Sequence, residues 1–241
     1  MNKLNSNLVI TLWGGTRRFM YLPTIGDRAY FIKRQLETLT KYTNSLKQIT
    51  FVVPEYSLSK EFTEAVDSLP TEINGTKVVV HHRPNVGMSY GGFSEVYAKY
   101  TSEFDYYFFL EDDYLFIKDN WDQEFIDELE SRSCAYLCIQ KGDGGGVYKM
   151  HGAIPMGVLK QEYMQKVVDE FGCLPCSKTV TDYTVVESSQ VAFGNAFVKY
   201  GLEDFTNKYS AWTSMLGILH CVVDNGKDIC VPIQRADKEN Y

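Results

Sequence analysis

Four β-rich runs separated by helix-patterned stretches occupy the first 110 residues, and this alternation constrains the fold more than any other feature of the chain. Leu8-Val9-Ile10-Thr11-Leu12-Trp13 is a short β-rich run that stops at Gly14-Gly15. Beyond it Asp27 can cap a helix whose apolar residues Tyr30, Phe31, Leu36 and Leu39 recur at helical intervals. Ile49 to Val53 forms a second run, ended by Pro54, and Ser59 opens a helix to Leu69. Lys77 to His82 is a third run, closed by Arg83-Pro84-Asn85-Val86-Gly87, with a helix from Gly92 to Tyr100. Tyr106 to Leu110 is a continuous aromatic and apolar fourth. Strands that lack a polar face and are joined through helices imply a mostly parallel central sheet with helices on both faces, hence an α/β fold.

After Leu110 the pattern loosens. An acidic amphipathic helix is expected from Trp121 to Leu129, starting near Asp119-Asn120, and a strand from Ala135 to Ile139. A loop with three consecutive glycines, Gly144 to Gly146, follows; helices are expected at Gln161–Phe171 and Glu187–Lys199, and a turn-rich tail from Cys221. With 241 residues and no composition shift, the economical reading is a single domain over 1–241.

Composition removes several functional classes. Apolar residues are 44% and charged residues 23%, which sets aside disordered and fibrous chains. Thirty-one acidic against 24 basic residues give a formal charge of −7, and the basic residues form no stripe, so no nucleic-acid partner is expected. No run approaches the about 18 apolar residues of a membrane span, and the apolar run at Leu8 is too short for a signal peptide, so no transmembrane segment and a cytoplasmic location are expected. The six cysteines are then expected to stay reduced, although Cys173-Leu174-Pro175-Cys176 has the spacing of half a zinc knuckle. Asn74-Gly75-Thr76 reads as a turn between strands rather than as a glycosylation site.

The chemistry concentrates at the end of the fourth run. Glu111-Asp112-Asp113 lies between Phe108-Phe109-Leu110 and Tyr114-Leu115-Phe116-Ile117, so three acids sit between two apolar segments. Carboxylates packed together repel and lose hydration unless a cation or hydrogen-bond donors stand among them. A hard divalent ion, Mg²⁺ or Mn²⁺, held by one or two carboxylates and a diphosphate meets that requirement. In open parallel sheets ligands collect beyond the carboxyl ends of the strands, which is where these acids fall.

Tyr107-Phe108-Phe109-Leu110-Glu111-Asp112-Asp113 resembles the short acidic motif of nucleotide-sugar-dependent glycosyltransferases of the GT-A fold, with Glu in place of the first Asp. Asn85-Val86-Gly87-Met88-Ser89-Tyr90-Gly91-Gly92 is similar to the Asn-X-Gly segment that many inverting members carry before a helix. The resemblance implies a single Rossmann-like domain with a nucleotide-sugar-binding half at 1–118 and an acceptor-binding half with the tail at 119–241. It makes Asp113 the metal ligand and Glu111 the ribose-side acid that also serves the metal, with Asp112 assisting. Thr11, Trp13 and Arg17 would contact base, ribose and phosphate, and Asn85 and Gly87 would let the backbone approach the nucleotide. The implied activity is metal-assisted, inverting transfer of a hexosyl or deoxyhexosyl group from a nucleotide diphosphate sugar to an acceptor glycan.

Such transfer requires a carboxylate to take the acceptor's proton. Glu187, in Val186-Glu187-Ser188-Ser189-Gln190, resembles the acidic helix start that carries the base in inverting members, and Asp182 and Asp143 are rivals for the role. His151 and His220 are further candidates for metal or phosphate, and Tyr209 and Trp212 for stacking on a sugar. Two alternatives stay open. Gly14-Gly15-Thr16-Arg17 with Pro23 resembles the glycine-rich signature of sugar nucleotidyltransferases, and a noncatalytic module on the same sheet would bind nucleotide or glycan without turnover.

Overall fold

The computed structural model describes residues 4–13, 29–55, 59–138, 141–142, 151–152, 157–178, 183–204, 218–224 and 227–230. In chain order these form β1 (Ser6–Thr11), α1 (Tyr30–Lys41), β2 (Gln48–Glu55), α2 (Lys60–Asp67), β3 (Glu72–Ile73), β4 (Thr76–Pro84), α3 (Met88–Tyr100), β5 (Tyr106–Glu111), β6 (Tyr114–Phe116), α4 (Trp121–Ser131) and β7 (Tyr136–Cys138). There follow β8 (Lys141–Gly142), β9 (His151–Gly152), β10 (Gly157–Lys160), α5 (Gln161–Phe171), α6 (Tyr183–Val198), β11 (Leu202–Asp204), β12 (Ile218–Asp224) and β13 (Lys227–Cys230).

An eight-stranded sheet organises the chain in the order β11-β7-β10-β5-β1-β2-β4-β3. Strands β5, β1, β2 and β4 run parallel, as do β11 and β7, while β10 and β3 run against their neighbours. The fold is thus α/β with a mostly parallel sheet, and strands from both sides of residue 118 belong to it.

Two apolar layers cover the sheet, as the unbroken apolar runs require. Side chains alternate across a strand. In β1 and β5, Leu8, Ile10, Phe108 and Leu110 therefore pack with α1, α2 and α4 through Ile32, Leu39, Phe62, Trp121 and Phe125. Val9, Tyr107 and Phe109 pack on the other face with α3, α5 and α6 through Phe93, Tyr97, Val167 and Phe193. Phe93 stacks on Phe109 at 4.4 Å between centroids, and Phe116 lies 4.4 Å from Trp121.

Several boundaries differ from the sequence reading, each for a physical reason. β2 runs through Pro54 to Glu55 because β1 pairs with β2 only as far as Val52, so the donor that proline lacks faces no ladder there. Helix α3 begins at Met88 rather than Gly92, because Gly87 takes the left-handed conformation, φ 72°, and starts the helix. Ala29, fully buried, occupies the N-cap position of α1, and Asp27, the expected cap, lies outside the described residues. Helix α4 does start at Asp119-Asn120 as expected, with Asn120 at its N-cap position, while the Asp119 carboxylate accepts from the Thr43 N–H at 2.7 Å and the Thr43 hydroxyl at 2.8 Å. Strand β10 had no distinct signal, because four residues are too short to show a period.

Asn74-Gly75 does form a turn, the two-residue link between β3 and β4, with φ of 50° and 75°. Its Asn74 amide donates to the Leu39, Thr40 and Tyr42 carbonyls at 3.1, 3.1 and 3.3 Å, which satisfies the otherwise orphaned end of α1. The tail pairs as a hairpin, β12 with β13, and β12 adds to β6. Among the described residues no helix is long and apolar enough to cross a membrane.

Candidate active site

The carboxyl ends of β1, β2, β4 and β5 meet the start of α3. Parallel pairing puts Thr11 beside Val52 and Glu111, and Val52 beside His81, so the residues leaving these strands emerge side by side. Thr11, Leu12, Trp13, Val52, Pro54, Arg83, Asn85, Met88 and Ser89 line a shallow, open cleft here. One wall is apolar and the other carries Arg83, Asn85 and Ser89.

The three acids have separate surroundings. Glu111, at the last position of β5, takes the Ser89 hydroxyl on Oε1 at 2.6 Å, which ties the strand to the first turn of α3. Asp112 is 1% exposed and accepts the Trp13 N–H on Oδ2 at 2.8 Å, fastening the chain where it leaves β1. Asp113 is 8% exposed, in the turn that leads into β6. Below them Gln35, fully buried, donates from its amide nitrogen to the Glu111 and Tyr114 carbonyls, both at 3.0 Å, and so fixes the backbone on either side of Asp112 and Asp113.

A buried cation completes the cleft. Arg83, 3% exposed at the end of β4, donates through Nη1 to the Met88 carbonyl at 3.4 Å. Its Nη2 donates to the Val86 carbonyl and to Glu95 Oε1, the latter at 2.9 Å. The guanidinium therefore holds the turn between β4 and α3 from inside. Gly91 makes room for it, since a Cβ at that position would lie 1.9 Å from the Val86 carbonyl oxygen and 2.7 Å from Arg83 Nη2. Gly87 is equally confined, with the Ser177 carbonyl oxygen 2.5 Å from where its Cβ would be. Burial pushes the Glu95 carboxyl up, but the hydrogen bond and charge of Arg83, helped by His81, outweigh it and hold the group below its usual range.

Tyr90, just behind Ser89, is held well above the usual phenol range by burial, with Tyr136, the Glu111 carboxylate and Cys138 adding to the effect. It stays a neutral phenol at physiological pH. Its ring packs on Phe193 of α6 at 5.2 Å between centroids, so α6 lies against the start of α3.

Thr11, Trp13, Asn85, Gly87, Glu111, Asp112 and Asp113, the expected nucleotide and metal residues, are brought to one end of the sheet. Thr11, Trp13 and Asn85 line the cleft, and Gly87 shapes its rim. Arg17, Asp143 and Asp182 lie outside the described residues, as do Tyr209 and Trp212. Glu187 falls in the first half of α6, and His151 and His220 are on β9 and β12. Arg83, Glu95 and Gln35 were missed by the sequence reading. Arg83 had a signal, a cation at the end of a strand and directly before Pro84-Asn85-Val86-Gly87; Gln35 and Glu95 had none.

Among the described residues no three His, Cys, Asp or Glu side chains form a group able to hold a metal ion by themselves. The donor set nevertheless suits a hard cation in kind. Mg²⁺ and similar ions take one or two carboxylates and fill the rest of their coordination with phosphate oxygens and water. Glu111 and Asp113 are two such carboxylates, two residues apart around the strand end.

No family model matches this chain, and no curated protein sequence matches it. Solved structures overlap it at low identity. A cytidylyltransferase from Leptospira borgpetersenii serovar Hardjo-bovis is 15% identical, with a TM-score of 0.48 over 85% of this chain and 77% of that one. A CMP:2-keto-3-deoxy-manno-octonic acid synthetase complexed with CTP is 13% identical, with a TM-score of 0.49 over 83% and 88%. Mouse xyloside xylosyltransferase 1 is 10% identical, with a TM-score of 0.49 over 89% and 97%. Overlap this distant assigns no activity.

Proposed function

We propose that this protein is a glycosyltransferase that moves a hexosyl or deoxyhexosyl group from a nucleotide diphosphate sugar to an acceptor glycan with inversion. The observation that carries the reading is that Glu111 and Asp112, from the acid triplet that ends β5, are hydrogen-bonded to Ser89 and Trp13, which line the cleft at the carboxyl ends of β1, β2 and β4. Leu12, Val52 and Pro54 give a base an apolar wall, and Asn85 and Thr11 give it and the ribose polar partners. The N–H groups that open α3 face no helical acceptor, and such a helix end favours phosphate. Arg83 adds positive charge beneath the same turn.

Asp113 and Glu111 would hold the Mn²⁺ or Mg²⁺. When bound, that ion neutralises charge on the departing diphosphate. Asp112 does different work: by holding the Trp13 N–H it keeps the end of β1 against the cleft. In the transfer the acceptor hydroxyl oxygen bonds to the anomeric carbon as the bond to the diphosphate oxygen breaks, and a carboxylate takes the hydroxyl proton. We assign that proton to Glu187, with Asp143 and Asp182 as rivals. What supports the choice is that α6, which carries Glu187 in its first half, packs on the start of α3 through Phe193 and Tyr90.

A second reading, sugar-phosphate nucleotidyltransfer, uses the same cleft. It is favoured by the anchoring at the cleft of Trp13, the residue that precedes Gly14-Gly15-Thr16-Arg17 in the sequence. Melting temperature measured with UDP, GDP, CDP and TDP, each with and without Mn²⁺, tests both readings together. One diphosphate is expected to stabilise the chain in a Mn²⁺-dependent way. Asp113→Ala is expected to remove that dependence and lower turnover by about 100-fold or more while the fold persists. A Mn²⁺-dependent shift that survives in Asp113→Ala overturns the metal assignment. Release of pyrophosphate from a nucleoside triphosphate and a sugar phosphate selects nucleotidyltransfer instead.

A further inference from the structure

The cysteines of Cys173-Leu174-Pro175-Cys176 serve no purpose in the fold described so far, yet the structure sets them beside the cleft. The segment leaves α5 at Gly172 and is anchored by Leu174, which is buried in the core around Phe93 and Phe193. Cys173 is exposed and Cys176 is half-buried. Ser94 of α3 stands near the Cys176 thiol, which also lies in the field of both Arg83 and Glu95. Two residues separate Cys173 from Cys176, the Cys-X-X-Cys spacing of dithiols that form a disulfide, and burial, then the neighbouring Cys173, push the Cys176 thiol above its usual range.

The next residue makes the connection to the site. Ser177 is buried, and its carbonyl oxygen would lie 2.5 Å from a Cβ on Gly87, which starts α3 in the left-handed conformation. The turn that lines the cleft at Asn85 and Met88 is thus held on one side by Arg83 and lies against the chain just after Cys176 on the other.

We propose that Cys173 and Cys176 are a redox-responsive dithiol whose oxidation to a disulfide loosens the turn at Asn85–Met88 and weakens nucleotide binding in the cleft. The last clause rests on the nucleotide reading above; the conformational clause does not. The oxidant is a low-molecular-weight disulfide. The exposed Cys173 thiolate attacks one of its sulfurs, forms a mixed disulfide and expels one thiolate. Cys176 then gives up its proton and attacks the Cys173 sulfur, expelling the second, so two electrons leave the protein and two small thiols are released. Bridging draws the Cys176 sulfur away from Ser94 and pulls on Ser177, and Gly87 has no side chain to resist the shift.

The full chain, reduced or treated with oxidised glutathione, is compared by disulfide mapping, by amide hydrogen exchange and by titration with whichever of UDP, GDP, CDP and TDP binds the reduced form. Expected are a Cys173–Cys176 linkage, faster exchange across residues 85–92 and a nucleotide Kd raised about fivefold or more, all reversed by reductant. Cys173→Ser, at an exposed position, is expected to bind as the reduced protein does and not to respond. This control also separates any effect of Cys221 and Cys230, which face each other in register across β12 and β13. Glutathione trapped on Cys173 without the linkage, a linkage with unchanged exchange at 85–92, or an equal response of Cys173→Ser each overturns the proposal. If no nucleotide binds the reduced chain, the nucleotide reading fails and exchange alone decides the dithiol.

Discussion

The two ends of the parallel strands use polar side chains differently. At the amino end, side chains are matched by the chain's own loops. Asp122, fully buried at the start of α4, accepts the Ser45 N–H at 2.7 Å; Asp119 takes two bonds from Thr43, and Asn74 gives three to the end of α1. The loop before β2 is closed by these bonds, and no side chain is held open for a ligand by them. At the carboxyl end Asp112 acts in this way, as Gln35 and Arg83 do on backbone carbonyls. Glu111 holds a serine hydroxyl, a neutral donor that a ligand can displace more readily than a backbone N–H within a loop, and Arg83 supports the rim of a cleft. One end of the sheet is sealed for stability, and the other is braced around a space.

The sharpest way to break this contrast is to fill the place where the brace passes the backbone. Gly91→Ala puts a methyl group against the Val86 carbonyl and Arg83, where backbone must move. A loss of about 3 kcal/mol in urea unfolding is expected. Nucleotide binding should fall with it. Wild-type stability in Gly91→Ala would show that the turn is not confined as described.

At the sealed end the contrast sharpens with pH. Burial raises the Asp122 carboxyl from 3.8 to about 6, against the hydrogen bonds that favour its charge, the Ser45 N–H among them. Folding thus favours the protonated form. Between about pH 4 and pH 6 the unfolded chain has already released the proton that the folded chain retains, so this group lowers stability as pH rises through that window. Asp122→Asn keeps an oxygen for Ser45 and removes the charge. Relative to wild type it is expected to gain on the order of 2 kcal/mol from pH 4 to pH 7, read from unfolding midpoints across pH, with nucleotide affinity unchanged. A constant difference across the window would refute the assignment.

The smallest expected effect tests Asp112, an acid at the open end that, like those at the sealed end, binds the chain's own backbone. Asp112→Ala leaves the Trp13 N–H without its carboxylate and is expected to cost about 1.5 kcal/mol. Unlike Asp122→Asn it should also weaken nucleotide binding, because Trp13 lines the cleft. An affinity equal to wild type would place the end of β1 outside the binding surface.

Much of the scaffold was legible from the residues. The apolar runs at Leu8, Ile49, Lys77 and Tyr106 are the four parallel strands of the sheet's centre, and Gln161–Phe171 is a helix with the expected ends. What was hidden had no local period: β10 is four residues long, and β3 only two. The site was legible as a place but not as a set of roles. Glu111, Asp112 and Asp113 are adjacent and chemically alike, so only the paths of the strand end and the following turn send one to Ser89 and another to Trp13. Arg83 could be seen as a charge, but its partner Glu95 stands twelve residues on with no spacing rule to join them.

By itself the sequence determined the layers, since residues with no polar alternative must bury both faces of a strand, and it determined that acids would surface at the end of β5. Tertiary structure alone decided which acid binds the chain's own backbone, where the buried arginine is anchored and what lies against Gly87. Those outcomes depend on groups as far as 99 residues apart meeting at one sheet edge. Burial and directed hydrogen bonds act through space, and the linear order of residues does not encode that geometry locally.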